Sequence, residues 1–277
     1  MIQGCWCWID EGHRGSLSTS SVLLTEEVCQ KMCRLLGYVS LKPESFAQAV
    51  GEKLPEFISL SSVHCDGWGV ATFDHNSDES LLTRAPEIAQ GSQTFQETIS
   101  NTETDGALLH LRWATSGIPV SKENTHPFIS HGYSFTHNGA IYPATALDSA
   151  ISQKFKSEIQ GETDSERYFY FILSQIEKHG LVEGVLSAVR EIKEKFDFSS
   201  INAMLMTDSH FITICEHDPA RKPDWAVAGY YELYYKFNDG DLVVASSGWD
   251  QAGWKNLPNH HVLVVERATL NQQVLAL

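Results

Sequence analysis

Eight short apolar runs constrain this chain more than anything else in it: "CRLLGYV", "WGVATFD", "ALLHLRWA", "YSFTHN", "INAMLMTD", "HFITICEH", "DLVVASS" and "HVLVVER". Each is too short for a helix and is bounded by Gly, Asn or Asp, so each is predicted as a strand with one face, often two, buried. Two amphipathic stretches interrupt them. The first opens at "TDSE", where Thr163 can cap and Glu166 can reach back as a capping box, and its apolar face is Phe169, Ile172, Leu173 and Ile176 before Gly180 ends it. The second runs from Leu181 to Phe196 with Val182, Val185, Leu186, Val189 and Ile192 at helical spacing. Strands in number with two adjacent helices predict an α+β layered fold, helices packed on a sheet face.

Length and composition agree: 277 residues, 42% of them apolar, suffice for one large domain or two small ones. Acidic residues outnumber basic ones 35 to 20, and the resulting charge of −15 repels phosphate backbones and anionic lipid. No nucleic-acid partner is expected. No apolar run reaches the roughly 18 residues of a membrane helix, so no membrane partner is expected either. Six cysteines scattered over a chain of this size (Cys5, Cys7, Cys29, Cys33, Cys65 and Cys215) fit a reduced, cytoplasmic protein better than a disulfide scaffold. The Cys5-Trp6-Cys7 pair lacks the spacing of zinc ligands.

Residues 1–32 carry three of these cysteines and sustain no helical or strand period, and are expected to be an N-terminal extension of a domain spanning 33–277. At the junction stands Met32-Cys33. A cysteine opening an apolar run is ordinarily a small core residue. Exposed as an N-terminal residue, however, Cys33 would join a thiol to a free α-amine titrating at about 7.7 to 8.0, a nucleophile and its base in one residue. Two routes give that terminus: translation from Met32 with the Met removed, which is the favoured expectation, or cleavage of a propeptide.

The motifs that follow, "MCRLLGY" (32–38), "HCDGWG" (64–69), "HLRWATSG" (110–117), "NTHPF" (124–128), "THNGAI" (136–141) and "GETDSE" (161–166), resemble in their order the class II glutamine amidotransferases. That resemblance implies the four-layer αββα sandwich of the N-terminal nucleophile hydrolases. It implies that Cys33 attacks the side-chain amide of glutamine or another γ-glutamyl group, that Arg112 binds the substrate α-carboxylate with help from Thr115, and that Asp164 receives the α-ammonium. In "HNG", the Asn138 side chain and the Gly139 N–H would stabilise the oxyanion. Other readings stay open for each: Arg112 as a strand-end arginine, Asp164 as a complement to the helix dipole, and Asn-Gly as a hairpin turn. His64, His110, His126 and His137 lack paired ligand spacing, and no metal or cofactor is expected.

Ser116 stands where the sugar-amidating relatives tend to have histidine, and Cys65 where small stand-alone ones often have glycine; the resemblance gives neither a part in the chemistry. No G-x-x-x-x-G-K motif is present. The expectation is a stand-alone amidohydrolase of glutamine or a γ-glutamyl compound, or the glutaminase partner of a separate acceptor enzyme. The alternative is a catalytically silent glutamine-binding or regulatory protein whose N-terminus stays unprocessed.

Overall fold

A computed structural model describes residues 33–73, 80–222 and 226–277. The expected extension, with Cys5, Cys7 and Cys29, lies outside the described residues. In chain order the first half forms β1 (Arg34–Glu44), α1 (Phe46–Val50), α2 (Leu54–Ser59), β2 (Trp68–Phe73), β3 (Ser80–Ala85), α3 (Gln93–Asn101), β4 (Thr104–Leu111), β5 (Phe128–Ser130) and β6 (Tyr133–Tyr142). The second half forms α4 (Gln153–Lys156), α5 (Asp164–His179), α6 (Leu181–Lys195), β7 (Asp197–Met206), β8 (His210–Cys215), β9 (Leu233–Asn238), β10 (Asp241–Ser246), β11 (Lys255–Leu257), β12 (His261–Glu266) and β13 (Gln272–Ala276).

The strands make two sheets, ordered β11-β9-β10-β1-β4-β2-β3 and β13-β12-β8-β7-β6-β5. Side chains alternate across each strand, and β1 shows where the two faces go. Leu36 and Tyr38 pack with Phe46, Phe57 and Phe95 of the short helices on the outside of the first sheet. Leu35 and Val39 point the other way, into a layer shared with Met204, Met206 and Phe211 of the second sheet. A third apolar layer joins the far face of the second sheet to α5 and α6 through Ile201, Leu205, Phe169, Ile172, Val185 and Val189. The order is therefore helix, sheet, sheet, helix, the αββα sandwich that the resemblance implied, and a strand buried on both faces explains why "CRLLGYV" is apolar without alternation.

Helix α5 begins as expected in one respect and differs in another. The Thr163 hydroxyl accepts from the Glu166 N–H at 3.1 Å, the N-cap bond. The Glu166 carboxylate does not return to Thr163; it accepts from the backbone of Gln160 at 3.0 Å and Gly161 at 2.7 Å, tying down the preceding loop instead. Thr163→Ala is expected to cost about 1 kcal/mol of stability, read as a lower denaturant midpoint with an unchanged slope.

Strand register then brings three chain segments to one place. Arg34 pairs with Leu111, so Cys33, just ahead of β1, adjoins Arg112, just beyond β4. Asn138 and Gly139 sit inside β6, opposite Asn202 and Ile201 of β7, and so belong to a paired strand rather than to a hairpin turn. Asp164 is the first residue of α5, packed against that strand.

Candidate active site

Cys33, Arg112, Thr115, Asn138, Gly139 and Asp164 all line one pocket of about 250 Å³. Half-buried Cys33 has its sulfur against the backbone of Trp113, whose N–H donates to Sγ at 3.4 Å and whose carbonyl accepts from the thiol at 3.5 Å. Burial pushes this thiol above its ordinary value, while the Trp113 N–H and the guanidinium groups of Arg112 and Arg34 pull the other way.

The segment after β4 is held by Asp66, whose carboxylate accepts from the Ala114 N–H at 2.8 Å. Arg112 is buried, and its guanidinium donates to the carbonyls of Asp66 at 3.4 Å and Pro119 at 3.2 Å. Among the described residues it has no carboxylate partner within salt-bridge distance. A buried cation spread over two carbonyls retains donors for an anionic ligand. Thr115 stands exposed at the rim, its carbonyl accepting from Ile118 N–H at 3.0 Å in a turn.

On the opposite wall, a register shift between Ala140 and Ile141 releases the Ile141 N–H from the ladder, and Asp164 Oδ2 accepts it at 2.8 Å. Asp164 thus does more than face a helix dipole: it fixes the end of the Asn138–Gly139 strand. Gly139 has φ +155, and a Cβ there would lie 1.8 Å from the Ser200 carbonyl oxygen, so no other residue fits the approach. Asn138 lines this wall with its side-chain Oδ1 buried and without a partner.

His137 braces this wall. Its Nε2 lies 3.1 Å from the Ser200 carbonyl, which can only accept, so Nε2 carries the proton and Nδ1 accepts from the Ser165 hydroxyl at 2.9 Å. Burial lowers its pKa and keeps the ring neutral. Burial also pushes His64 down to about 2 and His110 down to about 3, with His126 lowered as well. Among the described residues no group of three or more His, Cys, Asp or Glu side chains converges to hold a metal.

Sequence reasoning missed Asp66, the Trp113 backbone, the His137–Ser165 pair and an outer wall of Tyr142, Ser199, Arg221 and Tyr231. Asp66 and Ser165 lie within the HCDGWG and GETDSE motifs, where a carboxylate and a hydroxyl between the named residues were the signal. The outer wall carries no local signal, because it comes from the ends of β6 and β7 and from segments far downstream.

A family profile described as glutamine amidotransferases class-II matches residues 32–222. The chain belongs to the class II glutamine amidotransferases. It is 32% identical over 168 residues to a probable glutamine amidotransferase, DUG3, of Saccharomyces cerevisiae, the match covering 54% of this chain and 47% of that protein. The matched region is thus about half of that relative's length. An uncharacterised protein of Methanocaldococcus jannaschii is 24% identical over 265 residues, 86% of this chain and 70% of its own. A glutamine–fructose-6-phosphate aminotransferase of Legionella pneumophila is 27% identical over 173 residues, 62% of this chain and 27% of its own.

Two solved structures share the fold. A glutamine aminotransferase class-II domain protein from Silicibacter pomeroyi superposes with TM-score 0.63 at 18% identity, covering 88% of this chain and 99% of its own. The glutamine phosphoribosylpyrophosphate amidotransferase of B. subtilis superposes with TM-score 0.59 at 18% identity, covering 88% of this chain and 49% of its own. The class II amidotransferase sandwich is therefore the architecture of this chain.

Proposed function

We propose that this class II glutamine amidotransferase is a cysteine-nucleophile amidohydrolase that releases glutamate from glutamine or a γ-glutamyl compound. The convergence of all six residues on one pocket is the observation that carries this reading. The working unit is residues 33–277, free of residues 1–32 either because translation starts at Met32 and the Met is removed or because a propeptide is cut, in a cytoplasmic protein that acts alone or feeds ammonia to a separate acceptor enzyme.

With the Met32–Cys33 bond cut, the Cys33 α-amine takes the thiol proton, and the thiolate attacks the amide carbon. Negative charge passes to the carbonyl oxygen, where Asn138 Nδ2–H and the Gly139 N–H receive it. The protonated amine then gives its proton to the leaving nitrogen, the C–N bond breaks, and a γ-glutamyl thioester remains on Cys33. Water, losing a proton to the same amine, attacks the thioester carbon, the C–S bond breaks to release glutamate, and the protonated amine returns its proton to the Cys33 sulfur. Arg112 and Thr115 hold the substrate α-carboxylate and Asp164 the α-ammonium, so the amide carbon is brought to the sulfur by the far end of the molecule.

The direct test is a diazo-ketone glutamine analogue applied to protein beginning at Cys33, followed by mass spectrometry of the Cys33 peptide. One covalent adduct on Cys33 supports the reading, and an unlabelled Cys33 sinks it. Glutamine binding without glutamate release in the same protein would instead identify a silent binding protein. Arg112→Lys, which keeps the charge and loses the planar fork, is expected to raise the KM for glutamine about 10- to 100-fold with kcat changed only a few-fold. Steady-state kinetics on the folded variant would show it, and an unchanged KM would remove Arg112 from carboxylate binding.

A further inference from the structure

Arg34 follows the nucleophile directly, and the mechanism above gives it no task. Its side chain is among the largest that the protein buries completely. One guanidinium nitrogen, Nη1, donates to the Cys33 carbonyl at 3.1 Å, and the guanidinium carbon stands 5.4 Å from the centre of the Tyr230 ring. The next residue continues the restraint, since the Leu35 N–H donates to the Ser246 hydroxyl of β10 at 3.0 Å. Burying a guanidinium is costly, and this one is spent beside the residue that must begin the chain.

We infer that Arg34 is a positioning residue for the nucleophile, its guanidinium holding the Cys33 main chain while its charge lowers the pH at which the Cys33 amine and thiol lose their first proton. The inference rests on the reading of Cys33 as an N-terminal nucleophile. The amine and thiol titrate as a coupled pair. A neighbouring cation disfavours the ammonium and favours the thiolate, so it lowers that first step whichever group gives up the proton. Arg112, beyond β4, acts in the same sense on the thiol, and Asp164 at the start of α5 acts against it. Facing them are Asp66 before β2, whose carboxylate is taken by the Ala114 N–H, and the neutral rings of His64 and His137.

The test is the pH dependence of Cys33 alkylation by iodoacetamide, and of kcat/KM for glutamine, in protein beginning at Cys33. In the unsubstituted protein the acid limb is expected below the roughly 7.7 of an ordinary α-amine. In Arg34→Met it is expected to move up by about one pH unit, and in Arg34→Lys by much less. A merely structural role predicts lower activity in both variants with the limb unmoved. An unshifted limb in Arg34→Met, or equal limbs in the Lys and Met variants, overturns the inference. Should the Met variant not fold, Arg34→Gln takes its place under the same criteria, because Arg112 lowers the limb of the unsubstituted protein in the same sense as Arg34. Diazo-ketone labelling of Cys33 separates the two failures, because a labelled Cys33 with an ordinary limb removes the role of Arg34 and leaves the nucleophile standing.

Discussion

Protein that begins at Cys33 is expected to release glutamate from glutamine at least about a hundredfold faster than the same protein carrying Met32. The factor follows from the base. While Met32 is attached, the nitrogen of Cys33 is an amide with no useful basicity, and general-base assistance is worth about 10²–10⁴ in rate. Burial makes the loss more severe, since it already raises the thiol and leaves little thiolate without a proton acceptor. Glutamate release measured on the two proteins, with intact mass taken before and after the assay, is the experiment. Equal rates from a chain whose extra residues are still present would end the N-terminal mechanism.

Gly139→Ala is expected to remove activity and to lower stability together. The new methyl carbon would sit 1.8 Å from the Ser200 oxygen and 2.4 Å from its carbonyl carbon, which are main-chain atoms of a paired strand and cannot swing aside. The conformation itself, φ +155, is one that a side chain strains to adopt. Strain and overpacking together predict a loss of about 3–5 kcal/mol. In whatever fraction folds, displacement of the oxyanion donors predicts a fall of about 10²–10³ in kcat. Chemical denaturation and single-turnover kinetics read the two effects separately, and a variant with normal stability would contradict the packing described here.

All eight apolar runs became strands, because each is a central or near-central strand whose burial leaves a continuous apolar record in the sequence. The strands that escaped notice are β3, β5, β9, β11 and β13, several of them at or next to sheet edges. In β13 the residues are largely exposed, and "QQVLA" has no buried face to impose a pattern. The short helices α1 and α2 were equally silent, being only 5 and 6 residues long, too brief for a 3.6-residue period to repeat. For the site, position was legible where chemistry was not. The motif order picked out six residues that meet in one pocket, yet Asn-Gly alone reads as a turn, and only the pairing with β7 places it mid-strand. Tyr231 could not have been found locally: it reaches the pocket by stacking on His217, with ring centres 5.3 Å apart, from a different part of the chain.

Cys33, the proposed nucleophile, leads into a strand of one sheet, and Asn138 and Gly139, the proposed oxyanion donors, lie in a strand of the other. Their separation is therefore governed by the apolar layer between the sheets, where Leu35, Leu108, Met204 and Phe211 interlock. That layer acts as the spacer block of a calliper. Closely packed interiors do not absorb an extra methylene without moving something, and an error of about 1 Å at the reacting atoms can cost about a hundredfold in rate. The turnover of this enzyme is thus written partly in side chains that never meet its substrate, and its tolerance for change there should be narrower than their ordinary hydrophobic character suggests.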